Sequence, residues 1–242
     1  MTFTRCLGIA ALCVAPLTGA AQNMTEDQIK ALVLDTIREN PQIVVEALQM
    51  LELAQEQAQA ESAKVFLTEQ RELLENDPNA PVIGNPDGDV TVVEFFDYNC
   101  PYCRNAKVEL DILLNADADV RVVMREWPVL GEGSVFAARA ALASRQQDKY
   151  EVFHNALMTM QGRAEEQSVM RVAASVGLDV DQLRRDMDAP EITEHLQISS
   201  GMGRALGFTG TPSFVIGESL APGMIRADQM GTLVGAARAA NQ

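Results

Sequence analysis

The chain is poor in the residues from which most metal centres and disulfide frameworks are built. Its 242 residues include four cysteines, two histidines and one tryptophan. Four thiols, two of them within the first 13 residues, are too few for a disulfide-stapled scaffold. His154 and His195 fall in separate helical patterns without metal-ligand spacing, so a structural zinc site is not expected. Positive charge is scarce too. Nineteen Lys and Arg stand against 34 Asp and Glu, and the net charge of −15 argues against nucleic acid as a partner. Beyond the N-terminus, no stretch is long and apolar enough to read as a transmembrane helix. The apolar share, in contrast, is ordinary for a globular protein and suffices for a sizeable core.

Residues 1–21 read as a secretory signal. Arg5 supplies the positive charge, Cys6 to Leu17 is an apolar stretch too short to span a bilayer, and Thr18-Gly19-Ala20-Ala21 offers small residues for cleavage. An uncleaved anchor is the alternative. Cys6 and Cys13 lie inside this segment, in no lipoprotein cleavage context, so the mature chain keeps Cys100 and Cys103.

Residues 22–78 predict a helical arm. Thr25 and Gln28 fit a capping box, and Ile29, Leu32, Val33 and Ile37 share one helical face. Asn40-Pro41 restarts the count, with Asn40 as N-cap and Pro41 at N1. The second helix carries Val44, Ala47, Leu48 and Leu51 on one side and runs on through a Gln/Ala/Glu-rich stretch towards Asp77-Pro78. Such a stripe cannot bury itself. It lies on its own domain or joins copies of the chain, and the polar continuation favours the second.

From residue 82 the pattern becomes α/β. Val82-Ile83 predicts a short edge strand. Val90–Asp97, a helix from Cys100 to about Asn115, and Val120–Trp127 form a β-α-β unit with parallel strands and a right-handed crossover. Residues 133–205 read as wholly helical. A strand returns at Ser213–Ile216, with Gly217–Gly223 as a hairpin region, Met224-Ile225 as a short partner strand and a closing helix over Arg226–Ala240.

Four features carry chemistry. Cys100-Pro101-Tyr102-Cys103 places two thiols at a helix start, where unpaired N–H groups and the helix dipole favour a Cys100 thiolate, a better nucleophile and leaving group. Glu94 interrupts a buried strand six residues earlier, on the same face as Phe96. Buried under the thiols, its pKa would rise and it could exchange protons with them; the alternative is a carboxylate reaching solvent at a sheet edge. Pro212 stands where a strand begins, which a cis Thr211–Pro212 bond would reconcile, leaving Thr211 backbone groups free for an extended substrate. Tyr98, Asn99, Pro101 and Tyr102 frame the thiols, with Tyr102 an apolar surface for a protein substrate. His154 reads as structural or surface-exposed.

The run Glu94-Phe95-Phe96-Asp97-Tyr98-Asn99-Cys100-Pro101-Tyr102-Cys103, with Gly210-Thr211-Pro212-Ser213-Phe214-Val215 downstream, resembles the DsbA-like branch of the thioredoxin superfamily over about residues 82–240. The N-terminal arm is similar to the oligomerising arms of the ScsC-like subgroup. The resemblance implies a thioredoxin-like fold with a helical insertion over about residues 133–205. It implies Cys100 as attacking thiol, Cys103 as resolving thiol, Glu94 as buried acid and Thr211-Pro212 as the loop facing the disulfide. The dipeptide between the thiols is Pro-Tyr, with no histidine to stabilise the Cys100 thiolate, and threonine before the proline resembles the isomerase members.

The expected function is an exported, periplasmic thiol–disulfide oxidoreductase that forms or reshuffles disulfides in other exported proteins. It needs no cofactor or metal, and its expected partners are thiol-bearing substrates, a membrane redox protein and further copies of itself. Two alternatives from other classes are a Cu(I)-binding, copper-tolerance protein using the dithiol and a chaperone-like holdase.

Overall fold

The computed structural model describes residues 24–241, so the signal segment with Cys6 and Cys13 lies outside the described residues. The chain divides into two compact units, one through Leu53 and one from Ala54 onward.

In the first unit, α1 (Glu26–Glu39) opens with the capping box: Gln28 N–H donates to Thr25 Oγ1 at 3.3 Å, and Thr25 N–H donates to Gln28 Oε1 at 2.9 Å. α2 (Gln42–Asn76) starts one residue after the proposed N1 proline, within the ordinary fraying of helix ends. Taken by itself, α1 buries none of its residues. Ile29, Leu32 and Val33, and then Val44, Leu48 and Leu51 of α2, remain exposed.

The second unit begins within α2 and continues through β1 (Val82–Gly84), β2 (Val90–Phe96), α3 (Pro101–Ala116) and β3 (Val120–Glu126). Five helices follow: α4 (Glu132–Ala143), α5 (Tyr150–Thr159), α6 (Glu166–Ser175), α7 (Val180–Asp186) and α8 (Pro190–Ala205), with a 3₁₀ turn at Ser144–Gln147. β4 (Ser213–Ile216), β5 (Ser219–Pro222) and α9 (Ala227–Ala240) complete the described chain. The sheet order is β1-β3-β2-β4-β5, with β2 and β3 parallel and every other pair antiparallel. β2 is therefore the central strand.

Both faces of the sheet are covered, which explains why β2 and β3 read as near-continuous apolar runs. Val92, Phe96, Val122, Met124, Phe214 and Ile216 face a layer holding α3, α9 and the helical insertion. Val93, Phe95, Val123 and Val215 face Leu67 and Leu74 of α2, Met202 of α8, and Leu206, Phe208 and Trp127. The last turns of α2 are thus part of the body's core, and the arm that the sequence delimits at residues 22–78 is divided near Leu53.

Met224-Ile225 is not the partner strand of β4. Ser219–Pro222 takes that place, because Gly217, at φ +58, allows the chain to reverse over Gly217-Glu218 at once. Pro222 and Gly223 then end the pairing.

The end of α2 is clamped by a buried guanidinium. Arg125 of β3 donates to the carbonyls of Leu73 and Leu74 and to Asp77 Oδ2 at 2.6 Å. Both side chains of this ion pair are buried. Asp77→Ala leaves the Arg125 charge unpaired inside the protein, and equilibrium unfolding in urea should show a loss of roughly 3–5 kcal/mol. A loss below about 1 kcal/mol, the range of a surface pair, would mean that the clamp does not depend on this charge.

Candidate active site

β2 ends at Phe96, and after four residues the chain enters α3. Cys100 occupies the N-cap, with extended φ −80 and ψ 117, and Pro101 follows at N1 where its missing N–H costs nothing. The cap makes no side-chain hydrogen bond to the helix. The first-turn N–H groups of Tyr102 and Cys103 therefore face the Cys100 sulfur. Cys100 is 4% exposed, Cys103 is fully buried one turn into α3, and both are free thiols.

The two thiols are pulled apart in acidity. A hydrogen bond from the Cys103 thiol, and then the backbone N–H groups and the Thr211 side chain, lower the Cys100 pKa to about 6 against the opposing effect of burial. Burial, the same Cys100–Cys103 bond and the nearby Glu94 charge push the Cys103 thiol up. At pH 7 Cys100 is mostly thiolate and Cys103 holds its proton.

The Thr211–Pro212 peptide bond is cis and lies against the first thiol: Cys100 Sγ is 3.2 Å from the Thr211 carbonyl oxygen. Glu94 sits mid-strand on β2, paired with Met124 on one side and Phe214 on the other, and is 1% exposed. It is no sheet-edge carboxylate. Oε1 has no hydrogen-bond partner among the described residues, and burial pushes the pKa up to about 8, moderated by Lys107. Cys100, Cys103, Glu94, Thr211 and Pro212 are thus gathered at one place. Tyr102 stands outside it on the rim, 64% exposed, and Pro101 is exposed beside it.

Asn99, together with Asp97 and Arg104, which the sequence analysis gave no role, holds this arrangement. Asp97 Oδ1 accepts from Asn99 N–H at 2.7 Å, and Oδ2 accepts from the N–H groups of Val129 and Leu130 at 2.8 and 3.0 Å, tying the loop after β3 to the thiol loop. Asn99 bonds Ser134 Oγ and both backbone groups of Ala164. Arg104 reaches the carbonyls of Tyr98, Met160 and Gly162. Together they join the helical insertion to the thiol loop.

Beneath Tyr98 lies a buried cluster. Glu126 Oε1 accepts from Tyr98 OH at 3.2 Å and Tyr150 OH at 2.9 Å, and Tyr98 OH is 3.0 Å from His154 Nδ1. His154 is structural. Burial holds it neutral, with its pKa lowered to about 3, and its ring stacks on Tyr150 and meets Phe96 edge-on. Strand parity from Val122 and Met124 would have placed Glu126 inward, and counting from Cys103 on α3 would have done so for Lys107.

Because the hydrogen bond from Cys103 is the largest influence on Cys100, Cys103→Ala should raise the Cys100 midpoint by about one pH unit or more. Thiolate absorbance followed against pH measures it, and an unchanged midpoint near 6 would assign the acidity to the helix N-terminus alone.

Residues 91–235 match the model of the DSBA-like thioredoxin domain. A thioredoxin-like oxidoreductase from Silicibacter pomeroyi is 61% identical, with a TM-score of 0.69 over 70% of this chain and 98% of that one. A linker-deleted ScsC from Proteus mirabilis is 27% identical and covers 92% of this chain and 100% of its own, also with a TM-score of 0.69. Among curated relatives, a Na⁺/H⁺ antiporter of Herminiimonas arsenicoxydans is 32% identical over 142 residues, 58% of this chain and 23% of the antiporter. The chain spans less than a quarter of that relative's length. With the family model covering more than half its length and the paired thiols at the start of α3, the chain belongs to the DSBA-like thioredoxin domain family.

Proposed function

We propose that this protein is exported to the periplasm and exchanges disulfides with other exported proteins through Cys100 and Cys103. The observation that carries the reading is the placement of the two thiols, Cys100 at the N-cap of α3 against the cis Thr211–Pro212 bond and Cys103 fully buried behind it, which drives their acidities apart. A thiolate at Cys100 is nucleophile and leaving group at neutral pH, whereas a protonated Cys103 attacks only once its proton is removed.

In the oxidising direction a substrate thiolate attacks Cys100 Sγ of the Cys100–Cys103 disulfide. The S–S bond breaks, the electron pair goes to Cys103 Sγ, and Glu94 supplies the proton. A second substrate thiol then attacks the mixed disulfide, leaving the substrate oxidised and Cys100 as thiolate. In the isomerising direction the Cys100 thiolate attacks a wrong disulfide, and Cys103, passing its proton to Glu94, provides release if the substrate does not resolve itself. The Thr211 backbone beside the cis bond would align the substrate chain, with Pro101 and Tyr102 as its contact surface. A low thiol pKa favours the reduced enzyme and hence its use as an oxidant. Reoxidation would then fall to a membrane redox partner.

The exposed apolar side chains of α1 and of α2 up to Leu53 support a second element of the reading, in which copies of the chain associate through this unit. Several dithiol sites on one assembly suit isomerisation, because a misfolded chain can be held among them.

Reactivation of a scrambled, wrongly disulfide-bonded substrate in glutathione buffer tests both elements. The comparison variant lacks residues 24–53, since a longer deletion would remove Leu67 and Leu74 from the core. Activity of the whole protein that disappears with the deletion is expected for an oligomeric isomerase. Rapid oxidation of a reduced substrate without reactivation by either protein would mean an oxidase, and inactivity of Cys100→Ser in both assays is required by either direction.

A further inference from the structure

On α3 the inward stripe that carries Cys103 continues at i+4 with Lys107, and Asp111, one turn further on, stands at its edge. Lys107 is buried, unusual for a lysine, and its Nζ donates to both Asp111 oxygens at 2.6 Å. The Asp111 side chain is 49% exposed. The inward residues of α3, Cys103, Ala106 and Leu110, pack in one core layer with Val92 and Phe96, which flank Glu94 on the same face of β2, and Glu94 Oε1 is unpartnered among the described residues. A buried ammonium bonded to a surface carboxylate thus faces the core layer that holds the Glu94 carboxyl.

We propose that Lys107 is a positioning residue of the site, and that Asp111 sets, through it, how readily Glu94 takes up and releases the proton exchanged with Cys103. The proposal rests on the reading of Glu94 as the site's acid and extends it by naming what controls that acid from the surface.

The surrounding charges support the assignment. Glu94 is pushed up by burial first. Lys107 opposes this, while Cys100 and Asp111 reinforce it. From β3, Glu126 lies diagonally across the strands on the same face, since Glu94 pairs with Met124 and Phe96 with Glu126. Glu126 takes its hydrogen bonds from Tyr98 and Tyr150. From α5, His154 is held neutral, Lys107 being one cause after burial. Asp97 is occupied by the backbone of Asn99, Val129 and Leu130. α9 turns Met230 and Val234 inward, and its Asp228 and Arg238 pair at the surface with Arg226, Asp89 and Asp117. Lys107 is therefore the cation that acts on Glu94, and Asp111 divides its charge.

The step that reads this control is resolution of a mixed disulfide at Cys100. The Cys103 thiol gives its proton to the Glu94 carboxylate, its sulfur attacks Cys100 Sγ, and the Cys100–Cys103 bond forms. The bond to the outer sulfur breaks, and the outer thiol leaves as thiolate with the electron pair. The mixed disulfide is itself the oxidant. Loaded with thionitrobenzoate on Cys100, the full chain reports this step by the colour of the released thiolate.

Lys107→Met removes the cation, so the rising limb of the pH–rate profile should move to higher pH. Asp111→Asn removes the competing anion and should move it to lower pH. Each shift should reach half a pH unit or more, about threefold in rate below the midpoint and in opposite senses. Lys107→Arg, which keeps the charge, should restore the wild-type limb. A Lys107→Met protein that fails to fold leaves the decision to the surface variant Asp111→Asn, which must then shift the limb downward. No shift, or shifts of the same sign, would overturn the proposal. In a Glu94→Gln background the Asp111→Asn shift must vanish, and its persistence would mean that Asp111 acts on the thiols directly. If Glu94→Gln alone leaves the profile unchanged, the acid reading fails before the question of its control arises.

Discussion

A carboxyl buried on the central strand, its Oε1 unpartnered among the described residues, is the constraint around which this site is arranged. Glu94 ionises near pH 8 because water is excluded from it. Below pH 4.5, where the unfolded chain also holds the proton, it does not oppose folding. As pH rises towards 8 the unfolded state alone gives up the proton, and stability falls by on the order of 5 kcal/mol. A protein carries such a cost only where the rest of the core is sufficient, and here both faces of the sheet are covered. The same desolvation keeps the Cys103 thiol protonated. The central strand and α3 therefore create two proton-holding groups side by side, beneath a third group that has lost its proton.

What separates Cys100 from Cys103 is less than one helical turn. Cys100 sits ahead of the first helical residue, facing N–H groups that have no partner in the helix, and Cys103 sits behind it, facing the core. The loop around them is fixed by side chains that perform no chemistry. Asp97, Asn99 and Arg104 each satisfy two or three backbone groups of loops that meet at the thiols. Glu126, Tyr98, Tyr150 and His154 bond one another below, so the helical insertion is held to the thiol loop through polar bonds as well as packing. Losing one member of such a network leaves its partners unsatisfied.

The α/β pattern, the β-α-β unit and the helical insertion were legible because their patterns are strong: β2 and β3 are mostly apolar, and α3 has an inward stripe. Met224-Ile225 was misread because two apolar residues after a glycine look like a strand, and only the tight reversal at Gly217 shows that pairing begins earlier. The buried Lys107, Arg125 and Glu126 were not singled out, because charged residues are usually solvent-facing. Their partners are distant in sequence or lie on faces that only the packed sheet defines. Arg125 meets Asp77 from 48 residues away, and Glu126 meets Tyr150 from 24.

The sequence by itself determined the dithiol, the helix that begins at it, the inward parity of Glu94 and the family resemblance, since these depend on spacing within about one strand or one turn. Tertiary structure decided the rest: that the end of α2 belongs to the body, that Thr211 lies against Cys100 from 111 residues away, and that Lys107 is buried with its ammonium on Asp111. The physical reason is desolvation. Local pattern says which way a side chain points, but the acidity of Cys100, Cys103 and Glu94 depends on how much water the whole fold removes and which charges it leaves beside them.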